Sequence, residues 1–253
     1  MALFEMHIFS EALGMQTTVN VVIPQPNTQG EIGVAHGDKR ENYKCLYLLH
    51  GLSDDQSIWL RRTSIERYAT RDSLCVVMPC GGRSFYTDMK YGQKYYTFIA
   101  EELPRLIEAY FPVSHKREDH FIAGLSMGGY GALKIGLRRR DYFCAAAGLS
   151  AVADIVARSS TFPDTYTPIF GEGCHIPDEE NLFKLTEALN NDPLRPRLYM
   201  GVGTEDFLYE DNQRLRAHLE TLDFDFTYRE SAGSHNWEFW DEYIQYVLTW
   251  MFE

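Results

Sequence analysis

One serine in this chain sits where a hydroxyl could be made to react. The run Phe121-Ile-Ala-Gly-Leu-Ser-Met-Gly-Gly-Tyr130 reads as a buried strand that passes through Gly124-Leu-Ser126-Met-Gly128 into a helix. This is the G-x-S-x-G pattern of a nucleophile elbow. The serine rides a sharp strand-to-helix turn, and glycine is required two residues to either side because a Cβ would strike the neighbouring strand and helix. Ser126 is therefore the candidate nucleophile, and the chemistry to expect is acyl transfer.

A serine hydroxyl is a weak nucleophile near neutral pH, so the reading demands a histidine base and an acid to orient it, in the chain order Ser, Asp or Glu, His. The C-terminal third offers both. Leu198 to Gly203 is an apolar, strand-like run ending in Thr204-Glu205-Asp206, and Phe226 to Glu230 is a second one ending in Ser231-Ala-Gly-Ser-His235. Each candidate lies just past the carboxyl end of a strand, where open α/β sheets build their sites. Asp154, after the strand that precedes these two, competes for the acid. Asp206 is preferred because its Gly-x-Glu-Asp block ends a strand directly, while Glu205 would point the opposite way in extended chain.

The oxyanion of an acyl-transfer intermediate needs backbone donors. One is the N–H of the residue after the nucleophile, and another comes from an earlier strand-to-helix loop. The first is Met127. For the second, the apolar strand Cys45 to Leu49 breaks at His50-Gly51, which places the donor at Leu52, with Gly51 as the alternative.

These blocks together, with Trp59-Leu, Val-Val-Met-Pro79, Tyr86-Thr-Asp88, Glu-Glu-Leu-Pro104, Gly203-Thr-Glu-Asp-Phe-Leu-Tyr209 and Ser-Ala-Gly-Ser-His235-Asn-Trp-Glu-Phe-Trp240, resemble the esterase D superfamily. Within it the chain is most similar to bacterial tributyrin esterases and their acetyl-xylan and feruloyl esterase relatives. The likeness runs in order along nearly the whole chain. It implies an α/β-hydrolase fold, no metal or other cofactor, and hydrolysis of short-chain acyl esters by a Ser126-Asp206-His235 catalytic triad. It also implies an oxyanion hole from Leu52 and Met127. Family position further suggests Gly51, Trp59, Tyr86 and Trp237 as substrate-binding residues. Because the superfamily also holds S-formylglutathione hydrolases and mycolyltransferases, the resemblance specifies the chemistry more closely than the substrate.

Composition narrows the partners. With 24 basic and 36 acidic residues in 253, the net charge is −12. Nucleic acid and anionic membranes bind clustered Lys and Arg, so neither is expected, and a neutral or cationic small ester fits better. A homo-oligomer is allowed. The N-terminus has no basic and apolar leader pattern and no stretch approaches the roughly 18 apolar residues of a membrane helix, so a cytoplasmic protein is expected. Five scattered cysteines without a C-x-x-C pair read as reduced, mostly buried thiols.

Strand-like and helix-like segments alternate, the signature of a mostly parallel twisted sheet with helices on both faces. An antiparallel hairpin opens the chain, from Phe4 to Phe9 and Thr17 to Ile23 around Gly14, followed by a polar loop from Pro24 to Tyr43. Later strands are expected near 45–50, 74–79, 120–125, 144–150, 197–203 and 225–230, with helices near 58–70, 93–110, 128–139, 209–222 and 237–251. A single domain, 1–253, is the economical arrangement for this length. Residues 153–196 break the rhythm after the sixth strand with a turn-rich stretch and one short helix from Pro177, and are expected to form a small cap over the site.

Other residues receive plainer readings. His50 is expected to anchor the oxyanion loop rather than act as a base, and His7, His36, His115, His120, His175 and His218 to have no catalytic role. Arg138-Arg-Arg140 is expected as a solvated cluster complementing the end of the elbow helix. Phe85, Tyr91, Tyr95, Tyr96 and Trp240 default to core. S-formylglutathione thioester hydrolysis and acyl transfer to an alcohol share the same machinery and are alternatives to ester hydrolysis. A peptidase lacks a gating domain, and a dead binding module would not keep all five functional groups.

Overall fold

The computed structural model describes residues 1–25 and 41–253; most of the polar loop expected from Pro24 to Tyr43 lies outside the described residues. Eight strands form one sheet: β1 (Ala2–Ser10), β2 (Met15–Ile23), β3 (Lys44–Leu49), β4 (Leu74–Pro79), β5 (His120–Leu125), β6 (Ala145–Leu149), β7 (Arg197–Gly203) and β8 (Phe226–Ser231). Their order is β1-β2-β4-β3-β5-β6-β7-β8. β1 and β2 form the antiparallel hairpin, β2 pairs antiparallel with β4, and every later pairing is parallel. Gly14, at φ +65°, turns the hairpin, a left-handed conformation that costs glycine nothing.

The central strands bury both faces, so their side chains alternate between two cores. Cys45, Tyr47 and Leu49 of β3 and Cys75 and Val77 of β4 enter one, while Leu46, Leu48, Leu74, Val76 and Met78 enter the other. The first core is covered by α4 (Leu103–Tyr110), α5 (Met127–Arg138), α8 (Leu182–Leu189) and α9 (Tyr209–Leu219). The second is covered by α1 (Ile58–Arg62), α2 (Ile65–Asp72) and α10 (Trp237–Met251). From β3 the chain first steps outward to β4 and then returns past β3 to β5. The strand order reverses there, so the β3–β5 crevice is the switch point at which open α/β sheets bind ligands.

Two expected helices differ in detail. The 58–70 helix divides into α1 and α2 because Thr63 adopts extended backbone, its hydroxyl donating to Trp59 O at 2.6 Å and accepting from Ile65 N–H at 3.1 Å. Such side chains compete with the helical ladder. The 93–110 helix starts as α3 (Tyr95–Thr97) and passes through a π-helical turn, Phe98–Glu102, before α4. Pro104 has no N–H for the carbonyl of Ala100, which accepts the Arg139 guanidinium instead. The elbow helix runs 127–138, one residue earlier than expected, and the last helix runs 237–251, as expected.

The excursion after β6 contains more helix than expected. The segment read as turn-rich forms α6 (Ile155–Thr161) and α7 (Pro163–Phe170), with Pro163 in the first turn, where its missing N–H leaves no helical bond unmade. A 3₁₀ turn, Asp178–Glu180, then leads into α8, which packs on α5 and α9 as a crossover helix within the layer. No helix of the described residues is long and apolar enough to cross a membrane.

Candidate active site

The two glycines flanking Ser126 are tested by what a methyl would meet. A Cβ on Gly124 would collide with the carbonyl of Gly128, and one on Gly128 would come within 2.5 Å of Leu49 O and 2.6 Å of His50 O. The first turn of α5 is thus pressed backbone to backbone against the end of β3. Ser126 itself sits at φ 53°, ψ −116°, a strained conformation for a residue with a Cβ. It is held by Ser126 N–H to Leu149 O at 2.8 Å and by N–H donors from Tyr130 and Val152 to its own carbonyl. Surrounding bonds of this kind are what allow such backbone strain to persist.

Loops after three separate strands bring Ser126, His235 and Asp206 together. His235 Nε2 lies 3.1 Å from Ser126 Oγ, and His235 Nδ1 lies 2.9 and 3.0 Å from the two Asp206 carboxylate oxygens. Burial would push the Asp206 carboxyl up, but bonds from His235, the Leu208 N–H (2.8 Å) and Ser150 outweigh it and hold the group below its ordinary value. An ionised carboxylate can only accept, so Nδ1 carries the proton and Nε2 is left to accept from the serine hydroxyl. The loops are stitched to each other by Glu205, whose N–H donates to Gly233 O at 2.9 Å and whose carboxylate accepts from Gly233 N–H. Gly203 must be glycine because Gly233 O occupies the space of a Cβ.

Asp154 is engaged elsewhere. It caps α6 by accepting from Ala157 N–H at 3.0 Å and pairs with Arg214 at 3.1 Å.

In the loop after β3 the two candidate donors differ in their partners. Gly51 N–H donates to the Asp54 carboxylate at 3.2 Å, whereas neither Leu52 N–H nor Met127 N–H has a partner among the described residues. His50 holds this loop in place. Its Nδ1–H donates to Gly51 O at 2.7 Å and its Nε2 accepts from Gly81 N–H at 2.8 Å, so the ring is neutral; burial pushes its pKa below the ordinary value.

Two residues expected at the pocket edge are not there. Trp59 is 1% exposed and donates Nε1–H to Leu49 O at 3.1 Å, and Tyr86 is 0% exposed with its hydroxyl on His50 O at 2.8 Å. Both brace the end of β3 from inside the core instead of lining a pocket. Their lost signal is physical: a sequence position near the site does not tell which way an aromatic ring turns. Trp237 is half-buried and packs edge-on against Trp59 and Trp240, at 5.3 and 5.2 Å.

The arginine cluster also differs from expectation. Arg138 pairs with Glu180 at 2.6 Å and Arg140 with Asp192 at 2.6 Å, while Arg139 binds Asp141 at 3.0 Å. Beside them Lys134, wholly buried, donates to Glu180 (2.6 Å), Thr87 Oγ1 (2.7 Å) and Phe85 O (3.1 Å). Burial pushes Lys134 down to about 8, against the pull of Glu180, whose own carboxyl is held below its ordinary value by Lys134, Thr87 and Arg138 despite its burial. These ions join the excursion after β6 to the helix that carries Ser126.

Two residues near the triad had no sequence reading. Ser150, buried at φ 46° past the end of β6, accepts Trp240 Nε1–H at 3.0 Å and contributes to the Asp206 site. Phe207 stands exposed beside His235. A polar residue at the end of β6, in line with the other strand-end residues, was the available signal for the first. Nothing in the sequence separates Phe207 from a core aromatic.

Residues 10–250 match the family described as "Putative esterase". An acetyl esterase of Caldicellulosiruptor saccharolyticus is 32% identical, covering 99% of this chain and 98% of that protein. The fluorophosphonate-binding serine hydrolase F (FphF) of Staphylococcus aureus, solved with substrate bound, is 33% identical with a TM-score of 0.88, covering 100% of this chain and 98% of that one. An S-formylglutathione hydrolase (FrmB) of Staphylococcus aureus is also 33% identical, with a TM-score of 0.86 and coverage of 100% and 99%. A chain matched along almost its whole length, with the parallel sheet and hairpin described above, belongs to the esterase family and is a carboxylic ester hydrolase of α/β-hydrolase fold.

Proposed function

We propose that the chain hydrolyses short-chain acyl esters through an acyl-enzyme on Ser126. The observation that carries this reading is the unbroken line from Asp206 through His235 to Ser126, at 2.9 and 3.1 Å, beside two unengaged backbone N–H groups. Ser126 Oγ attacks the carbonyl carbon as its proton passes to His235 Nε2. Asp206 stabilises the imidazolium, and Leu52 and Met127 N–H receive the developing oxyanion. The C–O bond to the alcohol then breaks and Nε2 returns the proton to the departing oxygen. Water repeats the sequence on the acyl-enzyme, releasing the acid and restoring the serine.

The acetyl esterase relative supports a small acyl group, as does the modest size of the excursion after β6. A rate panel of p-nitrophenyl esters from C2 to C12 tests this. A maximum between C2 and C6 is expected, and kcat/KM still climbing through C12 would overturn it, since each further buried methylene could add about 0.8 kcal/mol if room existed. Hydrolysis of S-formylglutathione is the second reading, favoured by the Staphylococcus aureus relative of that name. The net charge of −12 weighs against its anionic thioester. Including S-formylglutathione, methyl ferulate and acetylated xylan in the panel ranks them directly.

A further inference from the structure

The geometry points to Phe207 as the surface on which the alcohol half of the ester rests, so that this residue selects for alcohols with an aromatic or bulky apolar group. The inference rests on the proposed acyl-enzyme mechanism. In that mechanism the alcohol oxygen takes its proton from His235 Nε2, which confines the group it carries to within a few ångströms of the imidazole. The inner side of that ring is closed by Trp240, edge-on at 4.8 Å and buried. On another side lies Phe207, with its ring centroid 4.4 Å from the imidazole and 65% of the residue exposed.

A large aromatic this open beside reacting groups is a place for an apolar group to rest, and among the described residues its ring has no aromatic partner besides His235. Its main chain is also held on both sides. The residue before it is Asp206, and the residue after it donates its N–H to Asp206 Oδ1 at 2.8 Å. Arg158 of α6 donates to the Phe207 carbonyl at 2.9 Å, is itself locked by Asp211 at 2.6 Å, and sets its guanidinium 5.7 Å from the ring. A pre-positioned ring face is the kind of surface that benzyl-like groups recognise by offset or edge contact. It gives methyl or ethyl groups little to bind.

The platform acts only while the alcohol is present, so it affects acylation and leaves hydrolysis of the acyl-enzyme to the other residues. Benzyl acetate and methyl acetate share an acyl group and release alcohols of similar acidity, which makes their kcat/KM ratio a readout of the alcohol contact. Phe207→Ala is expected to lower that ratio roughly two- to tenfold, in line with the worth of one aromatic contact. Phe207→Trp is expected to preserve it, and burst kinetics with p-nitrophenyl acetate should show acylation losing more than deacylation. Equal losses on both acetates and on both steps, with fluorophosphonate still labelling Ser126, would overturn the platform alone and leave Phe207 as a brace for the imidazole. Wild-type protein that takes no label at Ser126 would overturn the mechanism and the platform together.

Discussion

Helix α5 begins on glycines and ends among buried ions, and the two halves are held by different physics. At its start, Gly128 and Gly129 let the backbone approach β3 and β6 so closely that a methyl at Gly128 would meet Leu49 O and His50 O. Nothing charged takes part; the positions of Ser126 and Met127 follow from main-chain packing. Two turns later Lys134 enters a buried cage of Glu180, Thr87 and Phe85 O, and Arg138 closes on the same Glu180. The first half positions chemistry through local geometry, which works for any neighbours of the right shape. The second ties a distant segment to the site through ions that are costly to bury and more costly to separate.

The comparison predicts that activity and stability divide between the halves. At the chemical end, Ser126→Ala and His235→Ala should each lower kcat by about 10⁴- to 10⁶-fold, because such groups act as a unit. Unfolding free energies should change by less than about 1 kcal/mol. Turnover of p-nitrophenyl butyrate beside urea melts measures both, and fluorophosphonate labelling that persists in Ser126→Ala would sink the assignment of the nucleophile.

Asp206→Asn should cost about 10³- to 10⁴-fold in kcat, the size of the tautomer defect known for serine proteases. Asp154→Asn keeps an oxygen for the α6 cap, so it should leave kcat nearly unchanged and cost at most about 0.5 kcal/mol of stability through the half-exposed Arg214 pair. Should Asp154→Asn give the larger rate loss, the acid lies on the earlier strand and the assignment fails.

At the ionic end, Lys134→Ala should destabilise the fold by about 3 kcal/mol, since it strands Glu180 in a buried setting with Arg138 as its remaining cation. Lys134→Met combined with Glu180→Leu should lose less than the two single changes added together, because the pair is removed as a unit. Additive losses would mean that the ions do not couple the excursion to α5.

The smallest effect is the acid limb of stability. Glu180 and Asp206 both have folded values below their ordinary 4.5 and 3.8. The unfolded chain therefore takes up these protons first as pH falls. The stabilisation is present in full above the ordinary values and disappears as pH drops through the folded ones. Urea midpoints from pH 7 to 3 should fall, and Glu180→Gln should flatten that slope more than Asp154→Asn does.

What the amino-acid sequence determined by itself is what neighbours along the chain can dictate. The elbow around Ser126, the strand-end positions of Asp206 and His235, and the 127–138 and 237–251 helices all follow from local pattern, glycine placement and chain order. Only the tertiary structure decided which way rings and ions face. Trp59 and Tyr86 turned into the core because β3 needed bracing there, and Arg138 to Arg140 found carboxylates and carbonyls brought up by distant segments. Lys134 has no sequence reading, because Glu180, its partner, lies far along the chain. Burial and charge pairing are sums over contacts between remote residues, and no window of sequence contains those sums.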